Sequence, residues 1–271
     1  MGSHQNAARE LLKRAVHGAF LGAVAPARTR RLASAGRQRV AVLCYHRVRD
    51  DLQDNVTLSV EAFAAQMALV RKRYVVVRPE DVAAGNIDRQ SQRPIVAVTF
   101  DDGYQDNFAN AAPVLLRHKI PATFFISTGI VGTDRGFHHD LEKLGRTLPA
   151  MTWDEVRALR DAGFGIGSHT VSHANLARIG DCEARTELVQ SRDDLRRELV
   201  SADFPFAYCF GGRRDITPGR RALVREVGYT CCFAAFGGTN DGIIDPFDIR
   251  RFGVNWAVGR PGFMARIEGW A

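Results

Sequence analysis

The chain has 271 residues, 45% apolar and 25% charged, which is enough for one domain with a full core. That balance excludes a collagen-like, intrinsically disordered or disulfide-stapled miniprotein, and no run of 18 or more apolar residues is present to span a bilayer. The formal charge of +7 is uneven: residues 1–39 hold eight basic residues and one acid, while the remaining chain carries 29 of each sign. A basic nucleic-acid-reading face is therefore not expected, and no nucleic acid is assigned as a partner.

Residues 1–37 read as a basic arm. Ala8, Leu11, Leu12, Ala15, Val16, Ala19, Phe20 and Ala23 recur at helical spacing, with Arg9, Lys13, Arg14 and His17 opposite. Three readings stay open. The helix lies on an anionic membrane surface, it docks on the body, or it is a signal peptide in which Lys13-Arg14 precede a short apolar stretch. The five cysteines, Cys44, Cys182, Cys209, Cys231 and Cys232, are odd in number and lack a Cys-x-x-Cys spacing. Reduced thiols fit better than a disulfide framework or a thiolate zinc site, and they favour the cytoplasm, including the inner face of the membrane. An exported form stays open, and the sequence assigns no oligomeric state.

From residue 38 to residue 271 the pattern is that of one catalytic domain. Short apolar runs predict strands at 40–45, 74–77, 95–100, 122–127, 164–167, 206–210, 230–236 and 250–254. Helices are predicted between them at 60–72, 110–118, 152–162, 182–199 and 218–227, with Thr152 and Glu155 forming a capping box. On the helix at 182–199, Glu183, Glu187, Arg192 and Arg196 read as a solvated face. The alternation predicts an α/β fold, a parallel sheet closed or partly closed into a barrel, with catalytic groups at the C-terminal strand ends.

Two such ends carry chemistry. Thr99-Phe100-Asp101-Asp102-Gly103 ends one strand, and adjacent carboxylates there point in different directions, so one can hold a metal while the other moves a proton. Read blandly, it is an Asp-Gly turn. Gly167-Ser168-His169-Thr170-Val171-Ser172-His173 follows another strand, and histidines at i and i+4 on one helical turn would face one metal. Asp102, His169 and His173 would supply one oxygen and two nitrogens, a set suited to zinc or another divalent transition metal with positions left open. Asp101 would stand beside it as general base for water.

TFDDG followed by SHTVSH resembles the polysaccharide deacetylase family, carbohydrate esterase family four. The resemblance covers roughly residues 38–260. It implies a distorted (β/α) barrel and a metal-dependent carbohydrate N-deacetylase that uses zinc, cobalt, nickel or manganese on a saccharide substrate. By resemblance, Asp101 matches the base and Asp102, His169 and His173 the metal ligands. The family's arginine-bearing third motif is here Phe206-Ala207-Tyr208-Cys209-Phe210-Gly211, with Ala207 in the arginine's place, and it is similar to a bacterial exopolysaccharide version. Tyr208 and the N–H of Phe210 are candidates for the substrate and the oxyanion. Cys209 reads as a small buried residue rather than a reactive thiol.

No histidine follows His173, so the family's late general acid is missing. Tyr45-His46 resembles the early Tyr-His segment of the exopolysaccharide subgroup and makes His46 the candidate acid for the leaving amine. A structural histidine is the alternative. His138, His139 and Arg213 are candidate substrate contacts, each weighed against a plain surface role. Deformylation or cyclic-amide hydrolysis at the same site, and an inactive saccharide-binding relative, are the competing functions.

Overall fold

A computed structural model describes residues 27, 30–35, 38–201 and 203–269. The amphipathic stretch over residues 8–23 lies outside the described residues. The sheet is built from β1 (Val40–Tyr45), β4 (Val75–Val76), β5 (Ile95–Phe100), β6 (Ala122–Ile126), β7 (Gly165–Ser168), β8 (Phe206–Ala207), β9 (Cys232–Phe233) and β10 (Phe252–Gly253). Their order is β10-β1-β5-β6-β7-β8-β9, with β4 pairing the start of β5, and every pairing is parallel. β2 (Arg47–Val48) and β3 (Thr57–Leu58) form a separate small pair. Phe252 pairs with Leu43 of β1, while Ile249 bridges to Phe233 of β9. Residues 249–253 thus touch both ends of the curled sheet, and the distorted (β/α) barrel expected from the sequence is the observed fold.

The predicted helices are present as α1 (Val60–Arg73), α3 (Ala112–His118), α5 (Trp153–Asp161), α6 (Asp181–Leu199) and α7 (Pro218–Val227). Thr152 and Glu155 form the expected capping box. Further helices among the described residues, α2 (Pro79–Ala84), α4 (His138–Leu144) and α8 (Arg260–Ile267), are too short to declare a period. The strands predicted at 74–77, 206–210, 230–236 and 250–254 shrink to two residues each.

Strand parity sorts the core into two layers. Ala41, Leu43, Tyr45, Val96, Val98, Phe100, Phe124 and Phe206 pack outward against Phe63, Leu115, Val156, Leu188 and Val224 of the helices. Val40, Val42, Ile95, Ala97, Phe125, Ala207, Phe233 and Ile249 fill the interior. Close packing there requires glycine at 167, where a Cβ would stand 2.5 Å from the Phe125 ring. The inward row continues past the apolar filling into Cys44, Asp101, His169, Cys209 and Arg251, so polar groups collect at one end of the barrel.

Candidate active site

The site begins with the turn that ends β5. Asp102 and Gly103 both have left-handed backbones, φ 76° and 97°. This reversal sends the Asp102 side chain away from that of Asp101, and Asp tolerates the conformation better than most residues. Both carboxylates are 2% exposed. A π-helical turn, Asn107–Ala111, follows, with the Ala112 N–H reaching back to the Asn107 carbonyl. From it Asn107 donates to the His46 carbonyl at 2.7 Å and Asn110 to the Val48 carbonyl at 2.8 Å, pinning the exit of β1.

Asp101 is completely engaged. Arg251 donates from Nη1 to Oδ1 at 2.6 Å and from Nη2 to Oδ2 at 2.7 Å, and the Cys44 thiol faces Oδ2 at 3.3 Å. The guanidinium is itself 0% exposed and is held by donating to the Ala234 carbonyl at 2.7 Å and the Thr99 hydroxyl at 3.2 Å. Burial opposes ionisation of Asp101, but Arg251 outweighs it and holds the pKa below the ordinary carboxylate value. Arg251 thereby grips the carboxylate from just before the last strand, whereas residue 207 of the third motif offers only alanine. Sequence reading missed it because it sits 150 residues away. The available signal was an arginine embedded in the last apolar strand.

Asp102 is the opposite. Its Oδ1 lies 3.4 Å from Nε2 of His169 and 3.2 Å from Nε2 of His173, yet it has no hydrogen-bond partner. The Ala207 carbonyl takes Nδ1 of His169 at 2.8 Å, leaving Nε2 to face the carboxylate. Burial again opposes ionisation, and the two imidazoles outweigh it, holding the Asp102 pKa well below the ordinary value. Donors about 2.1 Å from one tetrahedral ion stand roughly 3.4 Å apart, so the spacing and the orphaned oxygen fit a divalent cation.

The two histidines do not share a helical turn, as the spacing suggested. Thr170 and His173 are left-handed, each with φ 62°. The loop between them is clamped by Glu187, whose carboxylate accepts from the Val171 N–H at 2.8 Å, the Ser172 N–H at 3.0 Å and the Ser172 hydroxyl at 2.7 Å. Glu187 is therefore a support of the loop between His169 and His173 and not part of a solvated face.

His46 closes the other side, with a ring nitrogen within 4.8 Å of both Cys44 Sγ and an Asp101 oxygen. Burial lowers its pKa, against the pull of Asp102 and Asp101. Cys209 is buried, its thiol 3.3 Å from the His169 carbonyl. The His139 ring lies tilted, 5.0 Å from that of His173, and its Nε2 meets the Tyr104 hydroxyl at 2.9 Å. Tyr104 donates to Asp140, also at 2.9 Å, and Asp140 is anchored by buried Arg47. Tyr104, Asp140 and Arg47 complete a buried support that the sequence did not reveal as such.

Phe210 is left-handed and 57% exposed, with its ring 5.1 Å from His173. Among the described residues, its N–H has no acceptor. Three candidates lie elsewhere. Tyr208 is 2% exposed but, like Phe206, belongs to the outward layer and packs on that ring, because parity places only Ala207 and Cys209 inward. The His138 side chain is 82% exposed and pairs with Glu142 one turn on. Arg213 lies over the Phe236 ring at 4.8 Å, on the surface.

The family model described as polysaccharide deacetylase matches residues 88–232, just over half of the chain. This range contains both carboxylates and both histidines, while His46 and Arg251 fall outside it. The Bacillus subtilis protein YxkH, named as a polysaccharide deacetylase, is 25% identical over 156 residues, 57% of this chain and 50% of that protein. A peptidoglycan-N-acetylglucosamine deacetylase of Bacillus cereus is 30% identical over 103 residues, 38% of this chain and 31% of that one. The chain thus spans at most half the length of these two curated relatives. Among solved structures, the Bacillus cereus polysaccharide deacetylase BC0361 aligns with a TM-score of 0.69 at 24% identity, covering 85% of this chain and 69% of that one. IcaB from Ammonifex degensii gives 0.68 at 24%, covering 86% and 98%. The Streptococcus pyogenes deacetylase PplD gives 0.70 at 19%, covering 84% and 98%. At these identities the likeness is one of fold.

Proposed function

Because the chain belongs to the polysaccharide deacetylase family, we propose that it is a metal-dependent hydrolase that removes the N-acetyl group from an amino-sugar unit of a saccharide. The observation that carries this reading is the contrast between a locked carboxylate, Asp101, and an underfilled one, Asp102, on one buried turn. A divalent ion held by Asp102, His169 and His173, zinc by the donor set, would polarise the acyl carbonyl and acidify the attacking water.

The chain's own groups supply the rest. Asp101 is ionised at neutral pH and accepts the proton of the attacking water, with its aim fixed by the Arg251 fork. The unpaired Phe210 N–H receives the negative charge that develops on the acyl oxygen. His46, on the opposite side, gives a proton to the departing nitrogen. Burial lowers its pKa, so the imidazole rests neutral near pH 7 and is a strong acid once it has taken up a proton. A carbon–oxygen bond forms, the amide carbon–nitrogen bond breaks, and the products are acetate and a free amino sugar. His139 and Phe210, both beside His173, form the wall against which the sugar would rest.

The substrate favoured by the reduced cysteines is a lipid-linked or nucleotide-linked precursor, or a small glycoside, met in the cytoplasm or at the inner membrane face. Among the described residues, no helix is long and apolar enough to cross a membrane. Peripheral contact would come from the basic arm. The test is acetate release from a panel running from N-acetylated nucleotide sugars to oligomers, with protein stripped and reloaded with zinc, cobalt, nickel or manganese. Metal-dependent acetate is expected. Formate from N-formyl sugars instead would make the protein a deformylase, and sugar binding without turnover would make it a binding protein.

A further inference from the structure

The metal-side pocket holds one group that the proposed reaction does not use. Cys209 is buried two residues past the end of β8, in line with its inward row, and its Sγ lies within 4.8 Å of a ring nitrogen of both His169 and His173. It is a free thiol. Its described contacts are to oxygens, the His169 carbonyl at 3.3 Å and the Thr170 hydroxyl at 3.5 Å, and a thiol makes only weak hydrogen bonds with such partners. The same two imidazoles face the orphaned Asp102 Oδ1, so the pair stands between a carboxylate from the end of β5 and a thiol that follows β8.

We propose that Cys209 is a fourth protein ligand of the metal in the resting enzyme, completing an Asp102–His169–His173–Cys209 set that the substrate carbonyl must open. This rests on the reading of Asp102, His169 and His173 as the metal site. Sulfur and nitrogen donors on one tetrahedral ion stand somewhat under about 4 Å apart, within the 4.8 Å that bounds Sγ and the two ring nitrogens here, so binding would draw the three together. On binding, the thiol gives its proton to solvent and the thiolate takes up the ion. Two consequences follow. A soft sulfur ligand selects zinc or cobalt over manganese or magnesium. A fourth protein ligand also closes a site that catalysis needs open, so the enzyme rests in a sealed state until the carbonyl displaces the thiolate.

Cobalt(II) reports this directly. In the full-length wild type, bound cobalt is expected to show visible ligand-field bands together with a near-ultraviolet sulfur-to-cobalt charge-transfer band. Cys209→Ser and Cys209→Ala should keep the first and lose the second. Their zinc affinity should fall by more than the roughly 10–100-fold that follows loss of an outer-shell partner. At saturating zinc, Cys209→Ala should have a lower KM than the wild type, because no thiolate competes with the carbonyl. Ligand-field bands without the charge-transfer band in the wild type would overturn the thiolate while leaving the three-ligand site standing. Absence of any cobalt binding would overturn both.

Discussion

Asp101 and Asp102 are chain neighbours, equally buried, and in opposite states. Asp101 receives a bidentate guanidinium and a thiol, which match its charge from within the chain. Asp102 presents an oxygen to two imidazoles and bonds to neither. A buried carboxylate is tolerated only when its charge is matched, so the first is complete without a ligand and the second calls for a cation. The difference arises from backbone rather than composition. The left-handed turn at Asp102 and Gly103 divides two identical side chains between two tasks.

The comparison breaks most severely at Asp102. Asp102→Asn should weaken zinc binding by well over about 100-fold, beyond what an outer-shell change does, and activity should return only at high metal concentration. Equilibrium dialysis alongside acetate release would check both. Next is Arg251→Met, which leaves Asp101 buried and unmatched. Breaking such a pair costs about 3–5 kcal/mol, to be read from urea unfolding. Its sign with pH is fixed. In the wild type the depressed Asp101 pKa contributes stability above the ordinary carboxylate value, and this is lost as pH falls through the lower folded value. Without Arg251 the largest influence opposing burial is gone and only His169 and His46 still pull the pKa down, so it should rise and the acid limb of the rate profile should move to higher pH.

His46→Gln sharpens the other side of the site. An imidazole proton donor is worth roughly 10²–10⁴-fold, and the variant should also lose the alkaline limb of the kcat profile, since that limb reports deprotonation of the donor. A large rate loss with the limb intact would assign His46 a structural role. The smallest effects are expected where the structure withdraws a candidate. His138→Ala, on a solvated helix start, should stay within about 0.5 kcal/mol of the parent in stability and keep full activity. Tyr208→Phe should also keep its kcat, since its ring faces the helices.

What the sequence revealed follows from locality. Asp101 and Asp102 stand at a strand end within one turn, and His169 and His173 within one loop, so short spacing placed all four. The barrel was readable from continuous apolar runs alternating with helices. Arg251 was not readable, because its partnership with Asp101 depends on the register that brings residues 249–253 between β1 and β9. Tyr208 was misplaced for the complementary reason: motif similarity fixes neighbours along the chain, while parity about β8 decides which of them face inward. Glu187 resembled every other charge on its helix until the His173 loop was seen resting on it.

The most direct measurement concerns Asp101 alone. Asp101→Asn, loaded with zinc, should retain one ion per chain by elemental analysis and lose on the order of 10³-fold or more in acetate release. That result would separate base from ligand on one turn. Undiminished acetate release with the ion in place, or loss of the ion together with the activity, would contradict the division of labour between the two carboxylates.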